Sequence, residues 1–168
     1  MNWKLALSLF AALALSACGF HPLYGEAGKG SAAESLASVY VEPIPDRVGY
    51  ELRNDLVDLF QSPAEPAGLP YHLKIELKTE QKGFALQHNA SITRYTYHLT
   101  AKYSLTDSGG KVIKKGEMHS LASYNVVQSP FATVVSGKDA EDRAAQDIAN
   151  RLQVELGVYF HDHAEGHA

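Results

Sequence analysis

The chain has 168 residues, which suits one domain of ordinary size. Hydrophobic residues make up 45% and charged residues 20%, the balance of a globular protein. The formal net charge of −4 lacks the basic excess of a nucleic-acid binder, so no nucleic-acid partner is expected, although a local basic patch remains compatible with it.

At the N-terminus, Lys4 precedes an apolar run from Leu5 to Leu15. The run is too short to span a bilayer but fits an export signal. No later stretch approaches the ~18 apolar residues that a spanning helix needs. Cys18 is the only cysteine, so it has no internal disulfide partner. Leu15-Ser16-Ala17-Cys18 has the form of a lipobox, whose small residues admit a signal peptidase and whose thiol carries diacylglycerol. Residues 1–17 are therefore expected to be a signal peptide, with Cys18 as the lipidated first residue of the mature protein. Each buried acyl CH₂ contributes about 0.8 kcal/mol, and several chains make the attachment durable. Gly19 stands where inner-membrane retention uses Asp, which favours the outer membrane.

Residues 18–37 read as a lipidated segment followed by a Gly/Ser/Ala-rich linker. Ser38 to Ile44 is β-branched and aromatic and predicts a short strand ended by Pro43 and Pro45. Asp46 is placed to cap a helix whose apolar face is Val48, Leu52, Leu56, Leu59 and Phe60. From Tyr71 to Glu80 and from Ala90 to Asp107 the sequence alternates with period two, the mark of strands buried on one side. Asp107-Ser108-Gly109-Gly110 predicts a hairpin turn. Lys111 to Val127 returns as the next strand, with a bulge expected at Gly116. Ser136 and Asp139 suggest the start of a last helix, with a stripe of Ala140, Ala144, Ile148, Leu152 and Leu156. Residues 161–168 read as a flexible tail.

These elements predict an α+β fold, a two-layer sandwich in β-α-β-β-β-α order. Two helices pack on one face of a four-stranded sheet, forming a single α/β domain over residues 38–160. The opposite face is left polar. Lys74, Lys78, Arg94, His98 and Lys102 are assigned to it, with Lys111, Lys114 and Lys115 clustered near the hairpin. Such residues serve either to discourage edge pairing or as a cationic surface for a phosphorylated partner.

The sequence shows no nucleophile elbow, zinc-protease helix or phosphate loop. No catalytic residue, cofactor or metal site is expected. His161, His163 and His167 cluster only at the terminus, without the rigid support a metal site needs.

Two segments resemble one family. Cys18-Gly19-Phe20-His21-Pro22-Leu23-Tyr24-Gly25 is similar to the mature start of the LptE lipoproteins, particularly those of α-proteobacteria. The stretch from Ser129 to Leu156 is similar to that family's C-terminal helix, on Asp139-Ala140, Arg143-Ala144, Ile148-Ala149 and Leu152. The resemblance implies a non-enzymatic lipoprotein at the periplasmic face of the outer membrane. It would plug the lumen of the large β-barrel LptD, help that barrel assemble, and serve lipopolysaccharide transport. Direct lipopolysaccharide binding is also implied, with no residue carried over for it. A stand-alone lipid- or solute-binding lipoprotein is the alternative, and it would need a sizeable apolar pocket.

Overall fold

The computed structural model describes residues 32–65, 68–85 and 92–165. The signal segment, Cys18, the GFHPLYG motif and His167 lie outside the described residues. The elements are α1 (Ala32–Ala37), β1 (Val39–Val41), α2 (Asp46–Phe60), β2 (Tyr71–Ala85), β3 (Ile92–Thr106), β4 (Val112–Asn125) and α3 (Pro130–Glu165). The sheet order is β1-β2-β3-β4. β1 runs parallel to β2 and the remaining pairs are antiparallel. A parallel pair needs a crossover, and α2 supplies it. The result is the expected α+β fold, with helices on one side of a four-stranded sheet.

The period-two segments place their apolar side chains as predicted. Leu73 and Ile75 of β2 are buried, as are Tyr97, Leu99, Ala101, Tyr103 and Leu105 of β3. They belong to one core with Val48, Leu52, Leu56 and Phe60 of α2 and Ala140, Ala144, Ile148, Leu152 and Leu156 of α3. Ala145 and Ala149 are also fully buried, and their small side chains let α3 lie close to its neighbours. At the β3–β4 hairpin, Asp107 Oδ1 accepts from the backbone N–H of Gly109 and Lys111. Gly110 there adopts φ 77°, a conformation glycine reaches without steric cost.

Several local expectations are corrected. Residues 32–37 are not linker: they form α1, which buries Ala32 and Leu36, one turn apart, in the shared core. Asp46 is not the cap of α2. Pro45 holds that position without a side-chain bond, and Asp46 opens the helix at φ 69°. Helix α3 begins at Pro130 rather than near Ser136. Proline suits a first helical turn, where its missing N–H is not needed. Ser129 accepts there, through its carbonyl, from the Thr133 N–H at 3.1 Å. At the other end α3 continues through residues 161–165 of the expected tail. Phe160 is buried, and His163 Nδ1 lies 2.7 Å from the Tyr159 carbonyl, one turn back.

Gly116 sits in regular register opposite Tyr103, and the irregularity falls between Leu105 and Thr106 instead. The glycine is needed for another reason. A Cβ there would meet the Tyr103 ring and hydroxyl at 2.7 Å.

The sheet edges are partly sealed by arginines. Arg151 donates to the His119 carbonyl of β4 at 2.5 Å, and Arg143 to that of Ser123 at 3.3 Å. Each is oriented by an aspartate one turn earlier, Asp147 at 2.8 Å and Asp139 at 2.9 Å. Arg53 of α2 donates to the Val41 carbonyl of β1 at 3.0 Å.

Candidate functional site

The candidate site is the sheet face turned away from the helices. Strand pairing arranges it in rows. Lys74, Ser104 and Lys115 form one, Glu76, Lys102 and Glu117 the next, and Lys78, Thr100 and His119 a third. Further along come Glu80 with His98 and Leu121, then Lys82 with Thr96 and Ser123, then Phe84 with Arg94 and Asn125. The candidate residues Lys74, Lys78, Arg94, His98, Lys102 and Lys115 thus share one face.

Lys114 is the exception. It pairs with Leu105, whose side chain is buried under the helices. Its ammonium lies 3.1 Å from Glu155 Oε1 on α3 and above the Tyr159 ring. Lys114 alternates with Lys115 and shares the parity of Met118, Ser120 and Ala122, which are buried on the helix side. Lys114 therefore joins the packing of strand to helix and leaves the candidate surface.

The face is also less cationic than its lysines alone suggest. Six Lys and Arg residues share the rows with three carboxylates, Glu76, Glu80 and Glu117. Lys74 pairs with Glu76 at 3.0 Å, Lys82 with Glu80 at 3.5 Å, and Lys102 approaches Glu117 at 3.9 Å. Such exposed pairs are each worth at most about 1 kcal/mol. Arg94 Nε donates to Asn125 Oδ1 at 3.1 Å, and Thr100 Oγ1 lies 3.1 Å from His119 Nδ1. An open groove of about 510 Å³ follows the first two rows, lined by Lys74, Glu76, Lys102, Ser104, Lys115 and Glu117 among others. Two lysines flanking a hydroxyl make its outer row the most cationic part. The arrangement offers charge and hydrogen bonds over a broad surface. The alternation of charge is visible in the Lys74 to Lys82 stretch, where Glu76 and Glu80 fall between the lysines at the same parity.

On the helix side, ionisable groups serve packing. The Arg47 guanidinium binds Glu141 and, at 2.7 Å, Asp142, joining the start of α2 to α3. Those bonds raise its proton affinity further. Burial, with Glu141 nearby, pushes the Tyr97 phenol up to about 12. Burial and then the bond to Glu155 raise that of Tyr103. Both phenols hold their protons in the folded chain beyond the usual value of about 10. Their contribution is complete below that pH and is lost as pH climbs toward the folded values. Melting temperature is expected to fall between about pH 10 and pH 12. Tyr97→Phe should flatten that fall, and an unchanged slope would contradict the assignment. Among the described residues, no three His, Cys, Asp or Glu side chains gather to hold a metal ion.

Comparison with known proteins fits this geometry. The model of the LptE family, described as lipopolysaccharide-assembly, matches residues 36–154. The chain belongs to the LptE family. Three solved structures of lipoproteins share the LptE-like fold. A Caulobacter crescentus lipoprotein is 22% identical with TM-score 0.63, covering 78% of this chain and 96% of its own. Rare lipoprotein B of Shewanella oneidensis is 10% identical with TM-score 0.56, covering 72% and 92%. Lipoprotein B of Nitrosomonas europaea is 12% identical with TM-score 0.58, covering 77% and 87%. No curated protein sequence matches the chain. Membership of the LptE family ties the fold to lipopolysaccharide assembly. No helix among the described residues is long and apolar enough to cross a membrane.

Proposed function

We propose that this LptE-family chain is a non-enzymatic lipoprotein of the outer membrane, held at its periplasmic face by lipid on Cys18. It plugs the lumen of an LptD-like β-barrel, helps that barrel assemble, and supports passage of lipopolysaccharide to the cell surface. The family match over residues 36–154 carries the reading. The polar sheet face supports it physically. Lumens of large outer-membrane barrels are polar, so a plug needs a hydrated, hydrogen-bonding surface rather than an apolar one. The rows from Lys74 to Arg94 offer that surface.

A stand-alone lipid carrier fits less well. Leu52, Leu56, Leu99, Ile148 and Leu156 are all 0% exposed where helices meet sheet, so this interior is occupied by side chains. Depleting the protein in cells is expected to lower surface lipopolysaccharide and barrel abundance together. Normal levels of both would overturn the proposal.

Within this reading, Lys74, Lys78, Arg94, His98, Lys102 and Lys115 contact the barrel wall or lipopolysaccharide. Arg94→Glu combined with Lys102→Glu should weaken capture of barrel or lipopolysaccharide several-fold at matched salt, with the thermal melt unchanged. Unaltered capture in the same pull-down removes the face from the interface.

A further inference from the structure

Charge on the outward face of α3 begins at Lys138. Beyond it, charged and amide side chains such as Asp142, Gln146 and Arg151 face solvent. Before it, the outward side chains are Phe131, Val134 and Val135, at 78%, 58% and 49% exposure. Their i, i+3, i+4 spacing sets them on one face. The helix still turns an inner side to the sheet here, since a Cβ on Gly137 would lie 3.3 Å from the Tyr124 ring. The two opening turns therefore expose apolar groups without charged neighbours, whereas beyond Lys138 the exposed Val154 and Val158 stand among charged and amide side chains. Val127, 47% exposed, precedes them in the turn from β4. Phe84, 53% exposed, lies at the same end of the sheet, in the row with Arg94 and Asn125. Residues 126–137 carry no charge at all. Exposed apolar side chains gathered at one end of a domain, with a polar rim, mark an interaction site.

We infer that this apolar tip rests in the interfacial layer of the bilayer that holds the chain's own lipid anchor, in the chain not engaged with a barrel. The inference relies on the Cys18 anchor and is independent of the barrel reading. Thirteen residues separate Cys18 from Ala32, a tether that reaches about 45 Å when extended. Ala33 lines a cleft together with Gln153 of α3. The helix from Gln153 back to Phe131 is about 33 Å long. The tether is long enough for the tip to meet the leaflet that carries the acyl chains. Arg94 and Lys138 border the tip and suit headgroup phosphates. The adjacent carboxylates are already paired, Glu80 with Lys82 and Asp139 with Arg143. Because the anchor keeps the domain at the surface, a small apolar patch suffices to hold the tip down.

Trp3 is the only tryptophan and lies in the signal segment. In a Trp3→Phe background, Phe131→Trp places a single reporter on the tip and Tyr50→Trp places one on the outward side of α2. The lipidated chain is reconstituted into phosphatidylethanolamine–phosphatidylglycerol vesicles, with and without brominated acyl chains. The tip reporter is expected to shift to the blue and to be quenched at least two-fold by bromine. The α2 reporter should stay unquenched. Adding Val134→Asp and Val135→Asp should abolish tip quenching while the chain still floats with the vesicles. Flotation without tip quenching overturns the proposal and leaves the anchor standing. Failure to float overturns the anchor and this proposal with it. A concentration-dependent dimer that buries the reporter without lipid assigns the patch to a second copy and also overturns it.

Discussion

Leu99→Ala is expected to destabilise the domain by about 2–5 kcal/mol. Leu99 lies on β3, which is paired on both sides, and is 0% exposed within the core shared by β2, α2 and α3. Truncation removes buried apolar area and leaves a cavity that paired strands cannot close easily. Single domains are stable by only about 5–15 kcal/mol, so the loss is a large share of the total. A urea melt reads it as a lower midpoint with an unchanged slope. Leu121→Ala is the matched control, because Leu121 is 66% exposed on the polar face. It should shift stability by no more than about 0.5 kcal/mol. Equal effects at the two positions would contradict the assignment of faces.

The second large effect has the opposite sign from ordinary helix propensity. Replacing a glycine inside a helix by alanine usually gains up to about 1 kcal/mol. Gly49 lies in α2, yet a Cβ there would stand 2.7 Å from Ile44 Cγ2 and 2.9 Å from the Ile44 carbonyl carbon and oxygen. The obstacle is backbone as well as side chain, so no rotamer change relieves it. Gly49→Ala should therefore cost about 1–3 kcal/mol, as overpacking does, by forcing α2 away from the segment after β1. A melting temperature equal to or above the parent's would show that this close approach is not required.

The main architecture was legible because it is written in periodicities. The alternation of Tyr71 to Leu77 and of Tyr95 to Leu105 assigned faces to β2 and β3 that burial bears out. The stripes from Val48 to Phe60 and from Ala140 to Leu156 did the same for two helices. What escaped the sequence depends on tertiary neighbours. Six residues of α1 form less than two helical turns, too few for periodicity to register. The helix is stable because Leu36 finds α2 and α3 around it. Gly116 resembles a bulge residue in a one-dimensional reading, whereas the ring of Tyr103 is what requires it. The real irregularity, at Ile113, has no glycine to announce it, and it sets Val112 opposite Thr106. Placing the start of α3 at Ser136 also concealed the apolar tip, since Phe131, Val134 and Val135 only share a face once helix begins at Pro130.

The polar face was legible in position and not in character. Lys74, Lys78, Arg94, His98 and Lys102 occupy one face as their spacing required, and Lys115 joins them there. Glu76, Glu80 and Glu117 lie among them at the same parity and turn a basic patch into a mixed, strongly hydrogen-bonding surface. That mixture suits a polar lumen better than it suits a purely anionic ligand.

Affinity purification of the lipidated chain from outer membranes decides whether it is a barrel plug. A large β-barrel of the LptD kind is expected to co-purify with it in stoichiometric amount and to survive a wash at raised salt. Recovery of the chain from those membranes with no barrel attached would contradict the account.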